Sequence, residues 1–458
     1  MNKAQVLEKL ASMSDLINEV SLKVWANPEV AGQEEQAANL YREVLQAQGF
    51  TIVETEGMPH AFYGEYGSGW PVIGVLGEYD ALPGLSQALD TVYNPVTPGG
   101  PGHGCGHNLL GAAPLGAALA VKGYLESTGM PGTIRFYGCP EEETLVGKGK
   151  MIKAGAFEGC DLALSWHPMT VNTPMHSAFL ALDSIKFRFK GVSAHAGQSP
   201  ESGRSALDAV ELMNVGANYL REHVIDKARI HYTITNAGGP PNIIPKDAES
   251  WYYVRAPHRK DVEDITARLM NIARGAALMT DTQVEAEVLG GCYEYLTNQV
   301  LLDLTHQNMT AVDLPSYTEE EMAMAAKLQK TVDAQQVALE RRKYLGEAQG
   351  DQVMFEGVMS VEEGKKVIMS GSSDSGDVSW IMPMNLFLAT AWPLGVANHS
   401  WQATAAAGSS LGSQGMLYAA RVFAGMMVDL FSDTALVDAA VSEFKERTKE
   451  QPYVSPLG

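Results

Sequence analysis

One short apolar run constrains the fold of this chain more than any other feature. Residues 72–76 (VIGVL) are continuously apolar, which is typical of a strand buried on both faces of a parallel sheet. Acidic side chains follow at Glu78 and Asp80, and open α/β sheets place their functional sites at the carboxyl ends of such strands. Two further predicted strands, 133–138 and 161–166, are also followed by acidic or histidine residues. The sequence therefore predicts an α/β fold with a functional site at one edge of its sheet.

The middle of the chain predicts a second domain. From about residue 184 apolar and basic residues alternate, and a strand–helix–strand–strand–helix–strand order indicates a small α+β unit of the ferredoxin-like kind. A chain of 458 residues is long for one core. We expect a two-domain protein, with a catalytic α/β/α sandwich at 1–182 and 296–458 and the α+β domain inserted at 183–295. The charged helices predicted at 318–347 are expected to be solvated.

The charge and the cysteine content exclude several classes of protein. Lys and Arg number 33 against 54 Asp and Glu, and the net charge of −21 repels phosphate backbones and anionic membranes. We therefore expect neither nucleic acid nor a membrane as a partner. Four cysteines in so long a chain do not form a disulfide framework, and the N-terminus lacks the continuous apolar run of a signal peptide. We expect a cytoplasmic protein in a reducing compartment.

The segment 101–108 (PGHGCGHN) carries two candidate metal ligands within three residues. The thiolate of Cys105 and the imidazole of His107 suit zinc, manganese or a similar ion. Glycines at 102, 104 and 106 allow backbone conformations that are closed to other residues. The alternative is an inert buried cysteine beside a surface histidine, so this segment alone does not establish a metal site.

Three more candidate ligands, Glu143, His167 and His399, follow predicted strands or lie in glycine-bounded loops. With Cys105 and His107 they make a set of one thiolate, three imidazoles and one carboxylate. This set is sufficient for two divalent metal ions that share a bridging ligand. Two such ions clamp an attacking hydroxide and polarise a carbonyl group.

Other residues would act beside such a centre. Glu142, next to Glu143, would be the general base that moves a proton from water to the leaving amine, although a run of glutamates is otherwise the solvated start of a helix. Asp80 would accept a hydrogen bond from a ligand histidine, or it is a turn residue before Pro83. His195 is not needed as a ligand, and its sequence surroundings alone favour a loop histidine without a role.

Seven motif regions, taken in order, span nearly the whole chain: GEYDALPGL, HGCGHNLLG, PEEE, WHP, GVSAHAG with SPESGRSALDAV, PNIIP and NHSW. Together they resemble metallopeptidase family 20, and in particular its amidohydrolase subgroup. The resemblance implies a catalytic α/β domain with an inserted lid that also mediates dimerisation. It implies a two-metal site with Glu142 as the base, and with these ligands: Cys105, His107, Glu143, His167 and His399.

The resemblance also implies roles for residues of the inserted domain. His195, Asn242 and Arg255 match lid positions that handle the substrate carbonyl or carboxylate, and in relatives the lid histidine often reaches the neighbouring subunit's site. Two residues depart from the family pattern. Glu78 stands where the family usually has a histidine, and Asn108 stands where many members of the subgroup have aspartate.

These features predict a metal-dependent amidohydrolase that uses metal-activated water to cleave a small N-acyl or N-aroyl amino acid. On a chain of net charge −21 an anionic substrate needs a fixed cation, and Arg204 and Arg255 are the candidates because a guanidinium fork suits a carboxylate. The alternatives are a dipeptidase or an aminoacylase on the same scaffold, or a non-catalytic partner subunit. We expect a homodimer, or a heterodimer with a homologous sister subunit.

Overall fold

The computed structural model describes residues 1–176, 179–346, 351–365, 367 and 371–457. The chain forms two units. The first consists of Met1–Ser177, Leu296–Ile368 and Val378–Tyr453, and the second of Ala178–Tyr295, Met369–Asp377 and Val454–Gly458. The second unit therefore takes in two short segments, 369–377 and 454–458, that the sequence analysis assigns to the catalytic domain.

The strands among the described residues are β1 Thr51–Glu54, β2 Phe62–Ser68, β3 Val72–Glu78, β4 Gly132–Cys139, β5 Leu162–Met169, β6 Thr173–Pro174, β7 Ala181–Lys190, β8 Arg229–Asn236, β9 Asp247–Ala256, β10 Gln283–Cys292 and β11 Met384–Thr390. The α-helices are α1 Lys3–Ser12, α2 Ser14–Ala26, α3 Glu35–Ala47, α4 His107–Thr128, α5 Gly147–Lys153, α6 Ala206–Leu220, α7 Arg259–Thr280, α8 Gln299–Ala311, α9 Glu319–Lys330, α10 Ala334–Leu345, α11 Val361–Gly364, α12 Ser375–Ser379, α13 Trp401–Ala407, α14 Ser410–Ser432 and α15 Thr434–Thr448.

The sheet of the first unit has the strand order β1-β2-β4-β3-β5-β11-β6. Strands β4, β3, β5 and β11 are parallel neighbours, whereas β1, β2 and β6 pair antiparallel at the two sides. The central position of β3 explains its uninterrupted apolar sequence, because six of its seven residues are buried. This sheet confirms the predicted α/β class.

Both faces of this sheet are covered. Phe136 and Tyr137, neighbours on β4, point to opposite faces, and they stack on Tyr41 of α3 and on Phe157 respectively. The long helices α4 and α14 pack on each other, and both also contact the sheet. Among the described residues only α14 is long and apolar enough to cross a membrane, but 78% of its most apolar window is buried inside the protein, as in a core helix.

The second unit has an antiparallel sheet in the order β10-β7-β9-β8. Helix α6 follows β7 and α7 follows β9, so the chain makes two strand–helix–strand halves. Apolar residues of the sheet, such as Phe187 and Tyr252, share a core with Val210 of α6 and Leu269 of α7. This is the predicted ferredoxin-like arrangement.

The expectation that helices α9 and α10 are merely solvated is wrong. Ala325 and Leu328 of α9 are buried, because this helix turns an apolar stripe toward the protein, and α10 buries Val337. The charged residues on their other faces dominate the sequence and conceal this stripe. Residue 347, the last of the predicted helical stretch, lies outside the described residues.

Candidate active site

The glycine-rich segment 101–108 leads directly into α4, whose first residue is His107. Gly106 caps this helix with φ +78°, a conformation that favours glycine. A Cβ atom at Gly106 would also lie 2.8 Å from Cγ of Pro168 and close to Trp392. The backbone therefore approaches the end of β5 closely, and Cys105 and His107 are both buried beside it.

Asp80 orients His107. Nδ1 of His107 lies 2.8 Å from Oδ1 of Asp80, so Nε2 is the ring atom directed into the site, where it is buried without a hydrogen-bond partner. The backbone N–H of Glu143 donates to Oδ2 of Asp80 at 2.8 Å. Burial alone would raise the pKa of Asp80, but the charge of His107 and its hydrogen bond hold the pKa below its ordinary value. One carboxylate thus positions a histidine and a glutamate.

His167 faces Cys105. Its Nε2 lies 3.3 Å from Sγ of Cys105, and its Nδ1 lies 2.8 Å from the carbonyl oxygen of Pro168, to which it donates. Burial lowers the pKa of His167 to about 4, so the ring is neutral at neutral pH, which is the form that binds a metal. The sequence placed His167 after a strand, whereas β5 continues through it to Met169.

Glu143 and His399 form the other side of the cluster. Nε2 of His399 lies 3.4 Å from Oε2 of Glu143. Oε1 of Glu143 lies 3.9 Å from Nε2 of His107 and is buried without a hydrogen-bond partner. Burial raises the pKa of Glu143 to about 7, partly opposed by the charge of His107. His399 has φ +61°, and its backbone N–H donates to the carbonyl oxygen of Gly104 at 2.9 Å.

The five predicted ligands lie together as two overlapping triads. One triad is Cys105, His107 and His167, the other is Cys105, Glu143 and His399, and within each the ligand atoms lie within 4.8 Å of one another. Sγ of Cys105 is common to both. Nε2 of His107 and Oε1 of Glu143 are buried, unpaired and aimed into the cluster. Thiolate, imidazole and carboxylate donors in this arrangement fit divalent metal ions.

The structure separates the three consecutive glutamates. Oε2 of Glu142 lies 3.8 Å from Nε2 of His107, and Glu142 forms with His107 and Glu78 a further group of acidic and histidine side chains whose ligand atoms lie within 4.8 Å of one another. Glu141 has φ +61°, and its side chain instead reaches Nζ of Lys150 at 2.5 Å. Glu142 and Glu143 are therefore the two that the backbone directs into the site.

Two buried residues at the cluster were given no role by the sequence reasoning. Oε2 of Glu78 lies 3.5 Å from Nε2 of His107, and its Oε1 lies 2.6 Å from Nζ of the fully buried Lys148. The position of Glu78 at the end of β3 was an available signal, but nothing in the sequence around Lys148 marks it as buried.

Asn108 has a structural role. Its side-chain amide donates to the hydroxyl of Ser21 and to the carbonyl oxygen of Ala407, both at 3.0 Å.

His195 and Asn242 belong to neighbouring segments of the second unit. The backbone N–H of Ala196 donates to the carbonyl oxygen of Asn242 at 2.9 Å. Nδ1 of His195 accepts from the backbone N–H groups of Gly197 and Gln198, each at 3.2 Å, so the neutral ring carries its proton on Nε2. Both side chains are exposed. The loop therefore presents an N–H donor to solvent.

The two candidate arginines differ in their partners. Arg204 donates to Asp281 through Nε at 2.7 Å, and to the carbonyl oxygens of Glu201 and Gly203 through one terminal nitrogen. Arg255, on β9, lies with its guanidinium carbon 5.7 Å from the centre of the Tyr253 ring, and burial lowers its pKa. Arg204 is thus occupied in fixing its own loop, which counts against it as a ligand for a substrate carboxylate.

The chain is similar to known hydrolases over nearly its whole length. Residues 74–369 match the family model described as Peptidase family M20/M25/M40. The chain is 41% identical to a p-aminobenzoyl-glutamate hydrolase subunit of Escherichia coli (strain K12), over 96% of this chain and 94% of that protein. It is 28% identical to the Xaa-Arg dipeptidase of Mus musculus, over 99% of this chain and 94% of that protein.

A solved structure has the same fold. A Bacillus subtilis protein described as a dinuclear metal binding peptidase from the M20 family superposes with a TM-score of 0.60 at 17% identity, covering 92% of this chain and 99% of that chain. The family model itself spans more than half of the chain, which confirms the resemblance inferred from the motifs. The chain therefore belongs to Peptidase family M20/M25/M40 and is a metal-dependent hydrolase.

Proposed function

We propose that this chain hydrolyses the amide bond between an acyl or aroyl group and an amino acid with a free carboxylate. The observation that carries the proposal is the pair of ligand triads that share Sγ of Cys105 beside the carboxylate of Glu142. The name of the Escherichia coli relative supports p-aminobenzoyl-glutamate as the first substrate to test.

We propose two divalent ions per chain, zinc or manganese. Cys105, His107 and His167 would hold one, and Cys105, Glu143 and His399 the other. Thiolate and imidazole ligands favour zinc, whereas the carboxylate also suits manganese. When bound, such ions would polarise the amide carbonyl and lower the pKa of a water molecule, so that the water gives up a proton as it attacks the carbonyl carbon. The Bacillus subtilis peptidase, which is described as dinuclear, supports the number.

The side chains of the first unit would manage the protons. Glu142 would take a proton from the attacking water and deliver it to the leaving nitrogen, which must be protonated before the C–N bond breaks. Asp80 would keep Nε2 of His107 directed into the site by holding Nδ1, and would fix the backbone of Glu143 at the same time. The roles of Glu142 and Asp80 both depend on residues that closely follow the neighbouring strands β4 and β3.

The second unit would supply substrate contacts. Arg255 would pair with the substrate carboxylate, and Asn242 would donate its amide to the same group or to the scissile carbonyl. Nε2–H of His195 would donate to the oxyanion that develops on the carbonyl oxygen during attack. We also propose that the protein works in the cytoplasm, which agrees with four cysteines that form no disulfide.

The test of the function compares N-(p-aminobenzoyl)glutamate with its α-amide as substrates of the manganese- and zinc-loaded protein. We expect the acid to be preferred, and Arg255→Ala to lower kcat/KM for the acid by about ten- to a hundred-fold, the usual cost of a charge-assisted contact. Arg204→Ala, whose side chain is held by Asp281, is the matched control and should retain the preference. Equal cleavage of acid and amide by the wild type would contradict carboxylate recognition.

The runner-up is a dipeptidase, because the Mus musculus relative with this name is similar over the whole chain. An Xaa-Arg dipeptide belongs in the same substrate panel. Cleavage of the dipeptide without cleavage of the aroyl-glutamate would favour this second function, while leaving the metal centre and the role of Glu142 as proposed.

We further propose that the chain assembles through its second unit, as a homodimer or with a homologous sister subunit. Strand β8 is an edge of its sheet, and edge strands expose unpaired backbone groups. On helix α6 an apolar stripe is exposed at Leu212 (38%), Val215 (50%) and Tyr219 (74%). The Escherichia coli relative is named as one subunit of a hydrolase, which supports assembly.

Light scattering on the purified chain tests the assembly. We expect a dimer mass, and Tyr219→Asp should shift the population to monomer because it buries a charge in an apolar contact. Leu339→Asp, at an exposed leucine of α10 in the first unit, is the matched control. A wild-type monomer with full activity would contradict both forms of the proposal, whereas a monomer that gains activity with the sister subunit would select the heterodimer.

A further inference from the structure

Helices α9 and α10 hold the chain segment 391–399, which runs from the end of β11 to His399. Gln329 of α9 donates to the carbonyl oxygen of Leu394 at 2.8 Å, and Gln336 of α10 donates to that of Gly395 at 2.9 Å. Each bond comes from a side-chain amide and reaches the backbone of the segment. Both helices therefore hydrogen-bond directly to the backbone of the segment.

A carboxylate on α10 extends this contact to a second part of the site. Oε2 of Glu340 accepts from the backbone N–H of Gly395, and its Oε1 accepts from the hydroxyl of Thr170 at 2.6 Å. Thr170 is fully buried and follows β5 directly, three residues after His167. Gly395 precedes His399 by four residues. One side chain thus joins the segments that carry two of the proposed metal ligands.

The backbone at Gly395 leaves no room for the segment to shift toward the helix. Gly395 has φ +94°, and a Cβ atom there would lie 2.6 Å from Cγ2 of Val337. Farther along, the backbone N–H of His399 donates to the carbonyl oxygen of Gly104, next to Cys105. The segment is therefore fixed on both sides, by α10 before His399 and by the Cys105 loop at His399 itself.

The segments after β5 and β11 are also joined nearer the sheet. The backbone N–H of Ala391 donates to the carbonyl oxygen of Met169 at 2.8 Å, and that of Thr390 donates to the side chain of Asn172 at 2.7 Å. These hydrogen bonds lie at the ends of β5 and β11. Beyond the sheet, backbone pairing no longer sets the distance between the two loops, and there the side chain of Glu340 connects them.

We propose that Glu340 is a positioning residue of the metal centre, which holds His399 in register with the loop after His167 and so sets the affinity of the Cys105–Glu143–His399 triad for its ion. The inference rests on the proposed function, because it requires metal at this site. It gives helices α9 and α10 a role in the site that their charged sequence does not suggest.

The test is a zinc titration of the metal-free protein against a chromophoric chelator, with the melting temperature of each metal-free variant measured in parallel. His399→Ala identifies which binding step belongs to its triad. In Glu340→Ala we expect the same step to weaken by about 10–100-fold, the usual cost of losing a group that orients a ligand, with the other step retained. Glu340→Gln should bind like the wild type, because its amide can accept from Gly395 and donate to Thr170.

Arg342→Ala, at an exposed position of the same helix, is the control. A Glu340→Ala protein that melts earlier but binds both zinc ions as tightly as the wild type would reduce Glu340 to a structural anchor and overturn the inference. If Glu340→Ala does not fold, Gln336→Ala removes one partly buried hydrogen bond to the same segment, and the same step should weaken by about 2–10-fold, as for one neutral hydrogen bond. A wild type that binds neither zinc nor manganese would instead contradict the proposed function.

Discussion

Replacing Glu142 with glutamine is expected to lower kcat by about a hundred- to ten-thousand-fold, the range that a general acid–base group contributes. The amide keeps the size and shape of the side chain but cannot accept a proton from water. Because Glu142 belongs to neither of the two triads that share Cys105, metal content should stay at the wild-type level. Steady-state kinetics and elemental analysis of the same preparation measure the two effects separately.

The neighbouring glutamates provide matched controls for this experiment. Glu141→Gln should leave turnover close to that of the wild type, because the Glu141 side chain pairs with Lys150 and not with the cluster. Glu143→Gln should instead lose metal, since the carboxylate of Glu143 belongs to one of the two ligand triads. If Glu141→Gln were the crippling change, the assignment of base and ligand along this run would be shifted by one residue.

Convergence of the site at the strand ends could be predicted because it follows from the topology of a parallel sheet. Strands β4, β3 and β5 are parallel neighbours, so their carboxyl ends meet at one edge. Asp80 comes shortly after β3, Glu143 comes shortly after β4, and His167 lies near the end of β5. Residue type and strand position were therefore sufficient to bring these three side chains to one place.

What the sequence could not supply were contacts made by a single side chain across a large separation along the chain. Glu340 looks like one of many charged residues on a solvated helix, and only the fold brings it to Thr170 and Gly395. The burial of Lys148 against Glu78 is invisible for the same reason. Neither contact has a local pattern, because each depends on how distant elements pack.

The choice between the two arginines also required the structure. Arg204 and Arg255 have the same chemistry, and although the family resemblance gives Arg255 a lid position, the residues around Arg204 in the sequence do not show that another side chain already holds it. Asp281 occupies Arg204 at 2.7 Å, from a position 77 residues away along the chain. Such a partner is one of many acidic residues in the sequence, so it could not have been selected in advance.

Replacing Cys105 with serine is expected to have the largest effect on metal binding, because its sulfur is the atom that both triads share. Orienting groups that never touch a metal typically contribute about 10–100-fold to its affinity, so loss of a shared ligand should weaken both ions by at least about 100-fold. Burial raises the pKa of the Cys105 thiol well above its ordinary value, and the charge of Glu143 raises it further. Metal binding must therefore displace the thiol proton, which makes affinity rise with pH.

The serine variant tests whether the sulfur of Cys105 acts as a ligand or only fills space. Serine is nearly isosteric with cysteine, and its hydroxyl does not ionise in this pH range. Isothermal titration with zinc in buffers of different ionisation enthalpy should show about one proton fewer released by Cys105→Ser than by the wild type. Cys160→Ser is the matched control, since its sulfur interacts with the carbonyl oxygens of Val72 and Leu162, away from the cluster. A Cys105→Ser protein that binds both ions with wild-type affinity would exclude the shared-sulfur arrangement, and would leave His107, His167, Glu143 and His399 as two separate pairs of ligands.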